Sequence, residues 1–258
     1  MNLPTRLCTR PRRQLLAAAG AAIAASTLLF ATVPGHAMTT GSGHATSETR
    51  VATGVQSISL RGGIHLIVRQ GTSEGVTVRA DDNVLPLVQT LVEGSGDART
   101  LRVQFKPGES LRTKTQVLVT VDVVKLSSVT SSGAGDITVE ALKTPGLTLS
   151  IAGSSNAQLR QLDTELLSIS ITGSGDVQAS GRASRLDVSI AGSGDVRTRD
   201  LVAADVSVSI AGSGDASVTA QKTISIAIAG SGDVEYGGNA ALVKRSIAGS
   251  GSVRQRQP

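Results

Sequence analysis

The sequence predicts an all-β fold: a parallel β-solenoid of about seven coils of 18–20 residues, preceded by a β-rich lead-in. Three observations carry that prediction. Versions of Ile-Ala-Gly-Ser-Gly-Asp return through the C-terminal half, with the first glycine of the turn at Gly133, Gly153, Gly173, Gly192, Gly212, Gly230 and Gly249. A near-constant period of this length marks a stacked-coil architecture. Apolar residues stand six, four and two positions ahead of the five glycines from Gly153 to Gly230, as in Leu167-Ile169-Ile171, Leu186-Val188-Ile190 and Ile224-Ile226-Ile228. That is the period of two of a strand with one buried face, which no helix reproduces. The composition agrees: of 258 residues 29 are glycine, and there is no tryptophan, one tyrosine and two phenylalanines. A core without aromatics must be built from Val, Ile, Leu and Ala, which suits regular stacking.

In chain order, residues 1–37 read as an export signal. Arg6, Arg10, Arg12 and Arg13 precede an apolar run from Leu15 to Val33, and small residues at Gly35 and Ala37 fit cleavage before Met38. Arg12-Arg13-Gln14-Leu15-Leu16 resembles a twin-arginine signal, with the general export route as the simpler reading and an uncleaved anchor as a further alternative. The net charge of +5 is then largely a property of the signal. Removing its four arginines from 25 basic residues leaves 21 against 20 acids, a charge of +1. Nucleic acid is therefore not an expected partner, and neither is a membrane once the signal is cleaved. Cys8 also lies in this segment, so the mature chain has no disulfide and no thiolate chemistry.

Residues 38–50, rich in Thr, Ser and Gly, read as a flexible linker with an idle, exposed His44. Residues 51–130 read as short strands punctuated by glycine. Asp81-Asp82-Asn83 followed by Pro86 fits a capped turn better than a metal site, and His65 falls on the outward side of its strand. Residues 131–254 form the repeats, in which one coil alone buries too little to order its own backbone. Arg245 takes the slot that holds Val, Ile or Leu in earlier coils, as suits a core edge open to water. Residues 255–258 read as a solvated tail.

Two features of the array are candidates for function. Asp176, Asp195, Asp215 and Asp233 recur at the turn and predict a column of carboxylates. Each one either ties down its own turn through backbone N–H groups or, as the alternative, binds calcium together with its neighbours. The outward positions are nearly all small, including Ser170, Ser189, Ser209, Ala191, Ala211 and Ala229. They predict a flat face able to pack against a glycan, a protein surface or a second copy in a homo-oligomer. No catalytic constellation and no cofactor site is legible.

The stretches Val78-Arg79-Ala80-Asp81-Asp82-Asn83-Val84-Leu85, Val92-Glu93-Gly94 and Leu101-Arg102-Val103, with the repeated turns and the ending Gly230-Ser231-Gly232-Asp233-Val234-Glu235-Tyr236-Gly237-Gly238 then Ser246-Ile247-Ala248-Gly249-Ser250-Gly251, resemble the autotransporter-adhesin head GIN domain of exported bacterial proteins. The resemblance covers about residues 51–254. It implies a β-solenoid with a β-rich N-terminal part, located in the periplasm, secreted or in the envelope, and no catalytic residues to carry over. The expected function is a non-catalytic adhesin-like or structural module. The alternative is a carbohydrate-active β-solenoid enzyme, against which stand the scarcity of aromatics, only Tyr236 and Phe105 after the signal, and the regular spacing of the acids.

Overall fold

The computed structural model describes residues 38–96 and 99–257, so the signal read over residues 1–37 lies outside the described residues. The strands in chain order are β1 (Met38–Thr40), β2 (Ala45–Arg50), β3 (Val55–Gly62), β4 (His65–Gln70), β5 (Gly75–Asp81), β6 (Val88–Glu93), β7 (Arg99–Phe105), β8 (Ser110–Arg112) and β9 (Leu118–Val123), with one 3₁₀ turn at Leu85–Leu87. They continue as β10 (Ser128–Gly133), β11 (Ile137–Val139), β12 (Leu142–Gly153), β13 (Ala157–Gly173), β14 (Val177–Gly192), β15 (Val196–Gly212), β16 (Ala216–Gly230), β17 (Val234–Gly237), β18 (Ala241–Gly249) and β19 (Val253–Gln255).

From β10 to β19 every pairing is parallel and joins equivalent residues of successive coils, so Gly133, Gly153, Gly173, Gly192, Gly212, Gly230 and Gly249 stand in one column. The fold is the predicted parallel β-solenoid, of about six turns. The inward columns are almost wholly aliphatic: Leu149, Ile169, Val188, Val208 and Ile226 form one, and Ile151, Ile171, Ile190, Ile210 and Ile228 another, all buried. Removing such side chains from water is the main drive for stacking.

The turn glycines are required by close backbone approach. Gly192 has φ 136°, and a Cβ there would lie 2.2 Å from the carbonyl oxygen of Gly173 in the coil below. The third residue of the turn is equally tight: a Cβ on Gly194 would lie 2.2 Å from the Gly175 oxygen and 3.0 Å from Cγ2 of Ile171. Ser155 breaks this second rule, and the coil beneath it compensates. The residue facing it, where other coils have isoleucine, is Ser131, and the two buried hydroxyls share a hydrogen bond of 2.8 Å.

The lead-in is wound into the same stack. β3 pairs in parallel with β10, Gly62 opposite Gly133, and β4 pairs with β11. The strands β7 and β9 in turn pair in parallel with β3 and β4. The chain therefore lays down its second layer first, returns to build the first layer, and then starts the regular repeats. A boundary between residues 130 and 131 falls inside β10 and marks no structural break. Antiparallel strands close this end, with β6 on β7, β5 on β9 and β2 on β5. At the other end β18 pairs only with β16 among the described residues, and Arg245 stands opposite Ile226 in the core column, with Leu242 and Val243 exposed.

Two expectations for the terminal segments need correction. Residues 38–50 are strand, not linker: Ala45–Arg50 pair along Asp81–Val76, and β1 pairs with β8. Composition missed this because the segment is held by polar contacts instead of buried apolar surface. The buried Asp81 carboxylate accepts hydrogen bonds from the N–H groups of Gly43, Lys114 and Thr115 and from the Thr115 hydroxyl. A Cβ on Gly41 would lie 1.9 Å from its Oδ2. Asp82 accepts from Ser42 Oγ, and Asn83 accepts from the Ser42 N–H while donating to the Thr40 carbonyl. The C-terminal tail is also tied down, since Arg256 N–H donates to the Tyr236 carbonyl and its guanidinium pairs with Glu235.

Burial alone raises the Asp81 pKa, but the Thr115 hydroxyl and the three backbone donors outweigh it and hold it below the ordinary 3.8. A carboxylate with a depressed folded pKa contributes stability above its unfolded value and loses it as pH falls through the folded one. The wild type should therefore lose stability more steeply below pH 3.8 than the Asp81→Asn variant. Urea melts at pH 5 and at successively lower pH check this, and parallel pH profiles would contradict it.

Candidate functional site

Three surfaces run the length of the solenoid around the turn column, and the same coil register builds all of them. The first is the flat face ahead of the turn. Ser150, Ser170, Ser189 and Ser209 are consecutive members of one outward column, and Ala191, Ala211, Ala229 and Ala248 of the next. The structure thus brings together all six residues singled out on this face. The columns extend into the lead-in through Ser57, Ser59 and Arg61. From β3 to β18 charge enters the three outward columns at Arg61, Asp187 and Lys244, and the next strand out, β7, sets Arg102 opposite Ser59. Beside them, at the second turn position, Ser154, Ser174, Ser193, Ser213, Ser231 and Ser250 are all exposed.

The second feature is the aspartate column, whose geometry differs from one part of the expectation. Each carboxylate reaches up to the next coil instead of closing its own turn. Asp176 Oδ1 accepts from the Asp195 N–H at 3.0 Å, Asp195 Oδ1 from Asp215 N–H at 3.0 Å, and Asp215 Oδ1 from Asp233 N–H at 2.8 Å. Asp233 ends the series on the N–H and hydroxyl of Ser252, each at 2.8 Å. The Ser252 hydroxyl, then its N–H, and the nearby Arg254 charge hold the Asp233 pKa below the ordinary range against partial desolvation. The neutral Asn156 does the same work lower down, its Oδ1 accepting from Asp176 N–H at 3.2 Å. Backbone dipoles therefore satisfy the inner oxygen of each side chain, and Arg197 bridges the outer oxygens of Asp176 and Asp195 at 3.3 and 2.8 Å. Among the described residues no three His, Cys, Asp or Glu side chains converge as metal ligands.

Sequence reading missed the start of this column. His65 occupies the aspartate position of the lead-in coil, where its Nδ1 accepts from Asp136 N–H at 3.2 Å. The signal was present as Gly62-x-x-His65-Leu66, equivalent to Gly133-x-x-Asp136-Ile137, but an intervening loop of the chain separates the two copies.

The third surface lies past the turn, where Thr138, Gln158, Gln178 and Arg197 stand one above another. Between them and the row Asp136, Asn156 and Asp176 runs a groove of about 450 Å³. Gln158 Oε1 accepts from Arg160, whereas the Thr138 and Gln178 side chains have no hydrogen-bond partner among the described residues.

This is an all-β parallel solenoid whose surfaces are columns of like residues. The chain belongs to the family described as "Putative auto-transporter adhesin, head GIN domain", which matches residues 55–240. That span takes in the lead-in coil and the repeats up to β17, with the last coil, β18 and β19, beyond it. Among solved structures it is similar to a "putative adhesin" from Bacteroides fragilis, with TM-score 0.76 and 22% identity over 84% of this chain and 100% of that one. A "putative lipid binding protein" from Parabacteroides distasonis has TM-score 0.71 and 25% identity over 86% and 100% of the two chains. A "putative adhesin" from Parabacteroides merdae has TM-score 0.66 and 22% identity over 85% and 99%. Among curated proteins no significant match is found.

The column makes a distinction between removing an acceptor and removing a charge. Asp195→Asn keeps the acceptor, as Asn156 does, and should change stability by less than about 0.5 kcal/mol. Asp195→Ala leaves the Asp215 N–H to water and should cost about 0.5–1.5 kcal/mol. Millimolar calcium should leave the wild-type melting midpoint where it is. A calcium-dependent rise abolished by Asp195→Asn would show that the column binds cations instead.

Proposed function

We propose that the protein is an exported, non-catalytic binding module of the cell envelope that lays its flat serine and alanine face against a regular surface. The candidate surfaces are an extended glycan on a cell and the matching face of a second copy. One observation supports this reading above others: three adjacent outward columns continue through eight layers with small side chains and only three charged positions. Small side chains stacked in register leave little relief to be filled, and a flat partner can approach along the columns. Their rotamer entropy is low, so ordering them on binding costs little.

The family and the neighbours named as adhesins agree with a binding role. No helix among the described residues is long and apolar enough to cross a membrane, and the export signal read in residues 1–37 provides the route out of the cytoplasm. Ser189 and Ser209 lie near the centre of the face and are register partners across one coil step. The double variant Ser189→Lys with Ser209→Lys sets two charged chains into it without touching the core. Glycan-array binding, or self-association followed by sedimentation, should fall by at least about tenfold in that variant while the melting midpoint stays unchanged. Undiminished binding would remove this face from the account.

A further inference from the structure

We infer that the groove past the turn, between the Asp136–Asn156–Asp176 row and the Thr138–Gln158–Gln178 row, is a binding site for a short neutral oligosaccharide. The inference rests on the binding-module reading and assigns it a second site, on a side of the solenoid different from the flat face.

The groove spans three coils, and its volume of about 450 Å³ falls within the 300–1,000 Å³ typical of small-ligand sites. Its two rows come from outward positions two residues apart on each coil, about 7 Å along the strand, and successive coils add about 4.8 Å each. The rows therefore offer polar groups on a regular grid parallel to the solenoid axis. What distinguishes this stretch from the flat face is that its uncommitted polar groups line a concave groove and include two carboxamides, which reach further than the serine hydroxyls of the flat columns. Asn156 and the inner oxygen of Asp176 serve the coil ladder. Thr138 and Gln178 serve nothing among the described residues, and Gln158 commits only its oxygen.

Further along the axis the next three equivalent positions, Arg197, Ser217 and Glu235, are all engaged by charged side chains, Ser217 through Arg199. Arg197 is held by Asp176 and Asp195, and Glu235 is held by Arg199 and Arg256. The open capacity thus stops at Arg197, which forms one end of the groove.

The chemistry of the free groups selects the ligand. A carboxamide offers two donors and one acceptor, and a threonine hydroxyl offers both functions. Vicinal sugar hydroxyls present the same mixture in return, each donating and accepting without charge. The formal charges lining the groove are two carboxylates, Asp136 and Asp176, and one guanidinium, Arg197. With the Arg160 guanidinium held on Gln158 beside them, positive and negative charges balance, so a uronate chain or other polyanion finds no net attraction to offset the desolvation of its carboxylates. The groove has no aromatic platform, so affinity per site is weak and recognition depends on several hydrogen bonds made together.

The test uses the full mature chain, titrated with cellohexaose and N-acetylated chitohexaose as neutral probes and hexagalacturonate as the anionic counterpart. Side-chain amide signals of Gln158 and Gln178 are followed by NMR. A neutral probe should shift both signals, and Gln158→Ala with Gln178→Ala should weaken its binding by at least about tenfold. The Ser189→Lys with Ser209→Lys variant should bind as the wild type does. Unmoved glutamine signals, full affinity in the double glutamine variant, or tighter binding of hexagalacturonate would each overturn the groove. If the neutral probes fail while flat-face binding persists, only the groove falls. If both are absent, the binding-module reading falls with it. An unchanged far-ultraviolet spectrum and melting midpoint confirm that each variant is folded.

Discussion

The structure depends on how closely successive backbones approach at the turn. At the first turn position, and at the third in the coils that have isoleucine beneath it, there is no room for a Cβ, because the carbonyl of the coil below lies only about 2.2 Å from where it would be. Two glycines per turn let the coils settle to sheet spacing on that corner. Once the corner is at that spacing, every other position of the coil is in register with its equivalents. The aliphatic columns inside, the aspartate ladder on the turn and the serine and alanine columns outside all follow from that register.

Register also sets the outward residues in continuous surfaces instead of isolated positions. An inward-outward alternation repeated at fixed offset turns each outward position into a row along the axis. A row of small side chains makes a plane, whereas a row of amides beside a row of carboxylates makes a polar groove. The same logic limits the aspartates. Stacked carboxylates about 5 Å apart repel one another, and here each accepts a hydrogen bond from a backbone N–H of the next coil, with the Arg197 charge across the outer oxygens of two of them. The column is satisfied by the protein itself.

Much of this was legible in the sequence, because the information is local and repeated. Ile224, Ile226 and Ile228 announce a buried strand face, and the Gly-Ser-Gly-Asp turns announce the corner. Arg245 marked the open end of the core by its place in the pattern, and it stands in that column, exposed. The direction of the aspartate hydrogen bonds was not legible, since own-turn and next-coil donors are both consistent with the same spacing. The lead-in coil escaped notice because Gly62 and Gly133 are neighbours in space but belong to a chain that first leaves to build another layer. The anchoring of residues 38–50 escaped for a different reason. It rests on Asp81 and Asn83 gathering backbone groups from distant loops, a network that hydrophobic patterning does not register.

The exception at Ser131 and Ser155 exposes the constraint most directly, because two residues 24 apart in sequence depart from the pattern together. Ser131→Ile alone should cost about 1–3 kcal/mol, by driving a methyl group against the Ser155 side chain. Ser155→Gly alone should cost about 1–3 kcal/mol, by leaving a buried hydroxyl without a partner. Together they recreate the isoleucine and glycine arrangement of the other coils, and urea melts of the four proteins should give a favourable coupling of about 1–3 kcal/mol. Costs that add to within about 0.5 kcal/mol would contradict the claim that close approach at the turn decides what each coil can carry.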